Sequence, residues 1–253
     1  MFKPRIIPIL LISNQKVVKT IKFKERIYVG DPLNTIKLFN DKEVDEIIVL
    51  DIDAKKNNLK PNYLLIEKIC SQCFMPIAYG GGITNLDEAK KILSLGVEKL
   101  VFNSSFIENR NFIKELVNKI GSQSVVSSLD IKRNFFGKYK VFSSNGNSNT
   151  GLDPFEFAKE LEKNGVGEIL INSIENDGLQ NGYDLKLIRE MTKNLNIPVI
   201  ACGGASSLED MKKAFDIGAS AVAAGSLFIF KGPYRAVLIN YPDLNTVNKI
   251  FSN

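Results

Sequence analysis

The stretches PIAYGGG at Pro76–Gly82 and PVIACGG at Pro198–Gly204 share one form, a proline, a short apolar run and a glycine cluster, and stand 122 residues apart. Gly96 and Gly218, Ser104 and Ser226, and Glu46 and Glu168 keep the same offset. A period near half of a 253-residue chain predicts two similar halves. Four strand–helix units in each half pack most simply as one closed barrel with a two-fold repeat.

The rest of the chain extends this pattern. Short apolar runs, each followed by a turn signal and a segment of helical period, predict strands at Ile6–Ile12, Glu46–Leu50, Pro76–Tyr79, Lys99–Phe102, Ser124–Leu129, Glu168–Ile171, Pro198–Ala201 and Ala221–Ala224. Amphipathic helices are expected between them, among them Leu86–Leu95, Arg110–Lys119 and Ser207–Phe215. The strands are continuous apolar runs, as parallel strands buried on both faces should be. The fold expected is a single (βα)8 TIM barrel spanning residues 1–253, with an open, doubly wound sheet as the alternative. Only Ser13–Asp31 and Asn134–Asp153 read as long irregular stretches. The first carries Lys16, Lys19, Lys22, Lys24 and Arg26, and reads either as a solvated hairpin or as a basic lid over an anion site.

Composition removes several chemistries. With no histidine, there can be no Ser-His-Asp triad, no Cys-His pair and no imidazole ligand or proton shuttle. Thirty-three basic against 28 acidic residues give a mild charge of +5 without a basic block, which favours small anionic substrates over nucleic acid. The three cysteines cannot build a disulfide framework. Cys70 and Cys73 form a CxxC without a second pair and read as packed thiols before a redox or metal pair, while Cys202 reads as core. The odd count fits a reducing cytoplasm. Met1–Gln15 imitates a secretory signal only briefly, because Pro8 breaks the apolar run and no cleavage site follows, and no stretch is long enough for a membrane span. Neither a ligand cluster nor a dinucleotide fingerprint calls for a metal or organic cofactor.

In an α/β barrel the C-terminal strand ends face the active site. Gly80–Gly82 after the third strand and Asn103-Ser104 after the fourth would form one anion cradle, since glycines let backbone N–H groups approach phosphate oxygens and a hydroxyl or amide adds a donor. Gly203-Gly204 after the seventh strand and Gly225-Ser226 after the eighth would form a second, with Asp177-Gly178 completing it. Two cradles on opposite sides imply a substrate with two phosphates.

These residues also carry a family resemblance. RIIP at Arg5–Pro8, VVK at Val17–Lys19, GDP at Gly30–Pro32, LDI at Leu50–Ile52, GGGI at Gly80–Ile83, LDIKR at Leu129–Arg133, GEIL at Gly167–Leu170, GYD at Gly182–Asp184 and GGA at Gly203–Ala205 together resemble the cyclase subunit of imidazole glycerol phosphate synthase. The resemblance implies a cytoplasmic lyase-type subunit of histidine biosynthesis. Such a subunit takes ammonia from a partner glutaminase, a class I glutamine amidotransferase in a one-to-one complex. It joins that ammonia to a bis-phosphorylated aminoimidazole ribonucleotide. Family phosphate sites carry over onto Gly82, Asn103, Ser104, Asp177, Gly178, Gly204, Gly225 and Ser226. Lys19 matches a substrate-contacting lysine, and Asp130 matches one of the two catalytic aspartates. Arg5, Glu46, Lys99 and Glu168 match a charged gate for ammonia at the other end of the barrel, with Glu98 nearby as a place to look for glutaminase contacts.

The chain departs from that pattern at the second catalytic position, where the family's strand-one aspartate is Leu11. A leucine cannot move a proton, and losing a positioned acid or base typically costs about 10² to 10⁴ in rate. Asp51 and Asp53 are the candidate substitutes, against the reading that they only hydrogen-bond neighbouring loops. RIIPILL at Arg5–Leu11, VVKT at Val17–Thr20, YVGDP at Tyr28–Pro32 and CFMPIAYGGGI at Cys73–Ile83 resemble a divergent branch of the family associated with amidating sugars in bacterial surface polysaccharides.

Overall fold

In the computed structural model, which describes residues 4–251, the apolar runs become eight parallel barrel strands. They are β1 (Arg5–Ser13), β2 (Ile47–Asp51), β3 (Ile77–Gly80), β4 (Lys99–Phe102), β5 (Val125–Arg133), β6 (Glu168–Ser173), β7 (Val199–Cys202) and β8 (Ala221–Ala224). Each pairs with the next, β8 returns to β1, and β5 meets β6 with Asp130 opposite Asn172, so the sheet closes. An outer layer of helices follows: α1 (Pro32–Asn40), α2 (Tyr63–Gln72), α3 (Leu86–Ser94), α4 (Arg110–Ile120), α5 (Pro154–Lys163), α6 (Leu185–Asn194), α7 (Leu208–Asp216) and α8 (Leu244–Phe251). Each of α1 to α7 opens on an Asp, Asn or Ser whose side chain accepts a backbone N–H of the first turn, satisfying a donor the helix leaves free. Among the described residues, no helix is long and apolar enough to cross a membrane.

The period of two along each strand sorts side chains between two cores. On β1, Ile6, Leu10 and Ile12 face the helices. Ile7 and Ile9 face the barrel axis, where they join Ile48, Ala78, Val101, Val126, Leu170, Ile200, Ala221 and Ala223 in a plug, with Leu11, Leu50 and Cys202 packed on top. The same alternation puts Arg5 at the base of the axis and Leu11 at its mouth.

The repeat is visible in three dimensions as two short helices, Ser104–Glu108 after β4 and Ser226–Ile229 after β8. Two segments read as irregular are ordered. In Ser13–Asp31, Lys16–Ile21 and Glu25–Gly30 form an antiparallel hairpin that pairs with the top of β1 through Leu11 and Val18. Beyond Leu129, β5 continues to Arg133 and turns back to pair with Tyr139–Ser143. Both were hidden because their alternation is interrupted by lysines and arginine that reach solvent or distant partners.

Candidate active site

The C-terminal strand ends enclose a cleft of about 1350 Å³, its open mouth included. Leu11, Lys19, Asp51, Gly82, Asn103, Ser104, Asp130, Asp177 and Gly225 all line it. A smaller recess of about 250 Å³ adjoins it, sharing Lys19, Asp177 and Gly225 and adding Gly178, Gly204 and Ser226. The geometry thus brings each of the two expected cradles together and places them on one continuous surface.

Steric limits hold the glycines in place. Gly204 has a φ of +109°, and a Cβ there would lie 2.2 Å from the carbonyl oxygen of Gly182. Gly178, with φ +75°, would put a Cβ 2.4 Å from the carbonyl oxygen of Thr20, so the β6 loop can close against the hairpin only with glycine. The hairpin in turn brings Lys19 into the mouth. Its stem packs on Gly225, and its Nζ donates to Asp177 Oδ1 at 2.9 Å and to the carbonyl of Thr20 at 2.9 Å. Thr20 Oγ1 donates to Asp177 Oδ2 at 3.0 Å. The carboxylate therefore enters the second cradle already paired with a cation. Of the two readings of Ser13–Asp31, the hairpin is real and its Lys19 is buried over the recess, while Lys16, Lys22 and Lys24 are solvated.

Asp130 stands on the cleft floor, where Asn103 Nδ2 donates to its Oδ2 at 3.0 Å. Burial and the nearby charge of Asp177 outweigh that hydrogen bond and push its carboxyl up to about 7. Such a group can give or take a proton near neutrality. Leu11 lies on the wall formed by β1 and β2, paired in register with Leu50. Asp51 also lines the cleft and burial raises its pKa, but its Oδ1 already accepts the backbone N–H groups of Asp53 and Ala54 at 2.9 and 3.1 Å. Asp53 is held below the usual carboxylate range by Ser13 and by Arg26, whose guanidinium lies 2.7 Å away, against the opposing effect of burial. Both aspartates are thus engaged in loop contacts.

Cys202, expected as core, is the last residue of β7; it packs on the axial plug and also lines both the cleft and the recess, where burial lifts its thiol to about 12. Cys70 and Cys73 are half-buried free thiols. Asn172, Ser128 and Thr20 were missed by sequence reading although all line the cleft. The inward period on β5 and β6, counted from Val126 and Glu168, would have found the first two.

At the opposite end, Arg5, Glu46, Lys99 and Glu168 form a closed ring of charges. Arg5 donates to Glu46 at 2.7 Å and to Glu168 at 2.8 Å, and Lys99 lies 3.1 Å from Glu168 and 3.6 Å from Glu46. Each position precedes or starts its strand and faces the axis, so the four side chains converge beneath the apolar plug.

Residues 5–234 match the family described as "Histidine biosynthesis protein". A Pseudomonas aeruginosa protein named "Putative imidazole glycerol phosphate synthase subunit hisF2" is 51% identical over 249 residues, covering 98% of this chain and 99% of its own. The chain belongs to the cyclase-subunit family of imidazole glycerol phosphate synthase. A Leptospira interrogans family member, named "Putative imidazole glycerol phosphate synthase subunit HisF", is 46% identical over 253 residues, 99% of this chain and 100% of its own. "Imidazole glycerol phosphate synthase subunit HisF" of Campylobacter concisus is 40% identical over 229 residues, 90% of each chain. The family expected from the motifs is therefore the right one, and its barrel is the fold observed.

Proposed function

We propose that this cyclase-subunit barrel receives ammonia from a partner glutaminase at its Arg5 end and supplies it for sugar amidation in surface-polysaccharide, O-antigen type, biosynthesis. Leu11 is the observation that carries this reading. The cleft keeps Asp130 at a pKa of about 7 but offers a leucine, beside Leu50 and packed on the axial plug, where the family's second carboxyl would stand, so an acid–base pair is missing. What remains suits ammonia transfer. The charged ring fits an entry gate, and the apolar axis above it favours neutral ammonia over ammonium, whose desolvation in such a channel is costly. The names hisF2 and hisF3 of the Pseudomonas aeruginosa and Vibrio vulnificus relatives fit a chain that works beside another member of its family.

Phosphate binding at the two cradles, by Gly82, Asn103 and Ser104 on one side and Gly178, Gly204, Gly225 and Ser226 on the other, belongs to the same reading, with Lys19 and Asp177 at the second. The competing reading is the true cyclase of histidine biosynthesis, producing imidazole glycerol phosphate and an aminoimidazole carboxamide ribonucleotide. Its support is Asp51, a cleft-lining carboxyl with raised proton affinity that could replace the missing acid. Turnover of the bis-phosphorylated aminoimidazole ribonucleotide with ammonium salt separates the two, because free ammonia bypasses the glutaminase. The proposal expects the natural protein to be inert or slow and Leu11→Asp to gain rate. Turnover by the natural protein in the ordinary range of about 1 to 10³ s⁻¹ overturns it.

A further inference from the structure

Arg235 lies just past the match to the family, which ends at residue 234, on the turn of a small hairpin formed by Phe230–Lys231 and Ala236–Val237. Its backbone is left-handed, with φ 52°, a conformation costly for an arginine, and is held by its N–H donating to the carbonyl of Gly232 at 3.1 Å. That turn lays the guanidinium over the Phe230 ring, 4.8 Å from its centroid, and aims it at the two loops bounding the second cradle. Nη1 donates to the carbonyl of Gly178 at 3.0 Å, and Nη2 reaches the Ser226 hydroxyl at 3.5 Å. The guanidinium is not satisfied by these contacts. Its Nε is buried without a partner, one of three such side-chain atoms among the described residues, and the contact to Ser226 is at the long limit of a hydrogen bond.

We infer that Arg235 is a positioning residue of the second cradle, fixing the Ser226 hydroxyl as a donor to a bound phosphoryl group. The inference rests on the phosphate reading of that cradle. The chemistry follows from donor counting. Arginine has no acceptor, so in any contact between the two side chains Ser226 Oγ must accept, and its own proton is left to point elsewhere. Ser226 is 5% exposed and lines the recess with Gly203, Gly204 and Gly225, so the direction left for that proton is toward the anion space. A hydroxyl free to rotate would spend part of its time presenting a lone pair to the phosphate. The arginine removes that option.

The device is confined to one half of the barrel. The position 122 residues before Arg235 is Ile113, a fully buried side chain of α4 that packs in the outer core. The two cradles therefore share glycines and a serine, but the first has no counterpart of Arg235 at the repeat position.

The test is titration with inorganic phosphate, followed by ³¹P resonance, in a Ser104→Ala background that weakens the first cradle. Arg235→Gln is expected to weaken phosphate roughly tenfold, as the loss of the charge-assisted contact that orients Ser226 should. Combined with Ser226→Ala, it should add little further loss, because the arginine acts through that hydroxyl. Arg235→Lys, which keeps the charge and a donor for the Gly178 carbonyl, should fall between the two and guards against a variant that fails to fold. If phosphate binds, Ser226→Ala weakens it and both Arg235 variants leave it unchanged, the inference is overturned while the cradle stands. Independent losses from Arg235→Gln and Ser226→Ala overturn it as well. If the Ser104→Ala protein binds no phosphate, the cradle reading and the inference fall together.

Discussion

Asn103 donates its side-chain N–H to Asp130 at 3.0 Å, joining the loop after β4 to the cleft-facing carboxylate of β5. That contact is the one influence lowering the pKa of Asp130, against burial and the charge of Asp177, which together bring it to about 7. Any reaction that needs Asp130 as a base should rise with pH through about 7. In Asn103→Leu the ionised form loses its donor, so the midpoint should move upward. Titration of the labelled carboxyl by ¹³C resonance reads this directly, and a midpoint that stays put or falls would remove Asn103 from the control of Asp130.

The same shift sets a stability prediction. Because the folded pKa of Asp130 is raised, the native state holds its proton more tightly than the unfolded chain does. Its contribution is most favourable below about 4 and is lost as pH rises through about 7. Asp130→Asn should therefore raise stability more at pH 8 than at pH 5, by a difference of about 2 kcal/mol given that the open mouth admits water. Urea unfolding at the two pH values checks this. An equal effect at both would mean the carboxyl is not strained in its ionised form.

Lys19 and Asp177 are a buried pair that fastens the β1 hairpin to the β6 loop, with side chains 5% and 9% exposed. Removing one partner leaves an uncompensated charge, which typically costs about 3–5 kcal/mol. Asp177→Asn should approach that loss and make the Lys22–Lys24 turn easier to cleave by trypsin. Lys19→Met with Asp177→Leu should be less destabilised than the two single changes added together. Additive losses in a double-mutant cycle would show that the pair is held by its surroundings and not by each other.

The strands were legible because parallel strands buried on both faces cannot afford polar interruptions, so β1, β4 and β8 stand in the sequence as unbroken apolar runs. The repeat was legible because glycines at the strand ends have no substitute: a Cβ at Gly82 or Gly204 would collide with backbone. Pairings over long separations were not. Nothing near Lys19 announces that Asp177, 158 residues away, will take its charge, and nothing near Arg26 announces Asp53. The cleft face of Cys202 was not legible, because a residue at the very end of an apolar run can cap the core and line the cleft at once. Arg235 sits in a segment without periodicity, so only the folded chain reveals what it faces.

The ring at the barrel base predicts unequal consequences for its members. Of the two cations in the ring, Arg5 is bonded by short contacts to both carboxylates, at 2.7 Å to Glu46 and 2.8 Å to Glu168, whereas Lys99 is 3.6 Å from Glu46. Taking away Arg5 leaves two carboxylates sharing one ammonium beneath an apolar plug, so Arg5→Ala should destabilise the barrel by about 2 kcal/mol, discounted for its partial exposure. Lys99→Ala should cost less, because Arg5 still satisfies both glutamates. Glu46→Gln keeps an acceptor for Arg5 and should cost least of the three. Guanidinium unfolding of the three variants gives the order. A ring in which Lys99→Ala is the most damaging change would mean that the long Lys99–Glu46 contact tightens in solution and that Arg5 is not the hub.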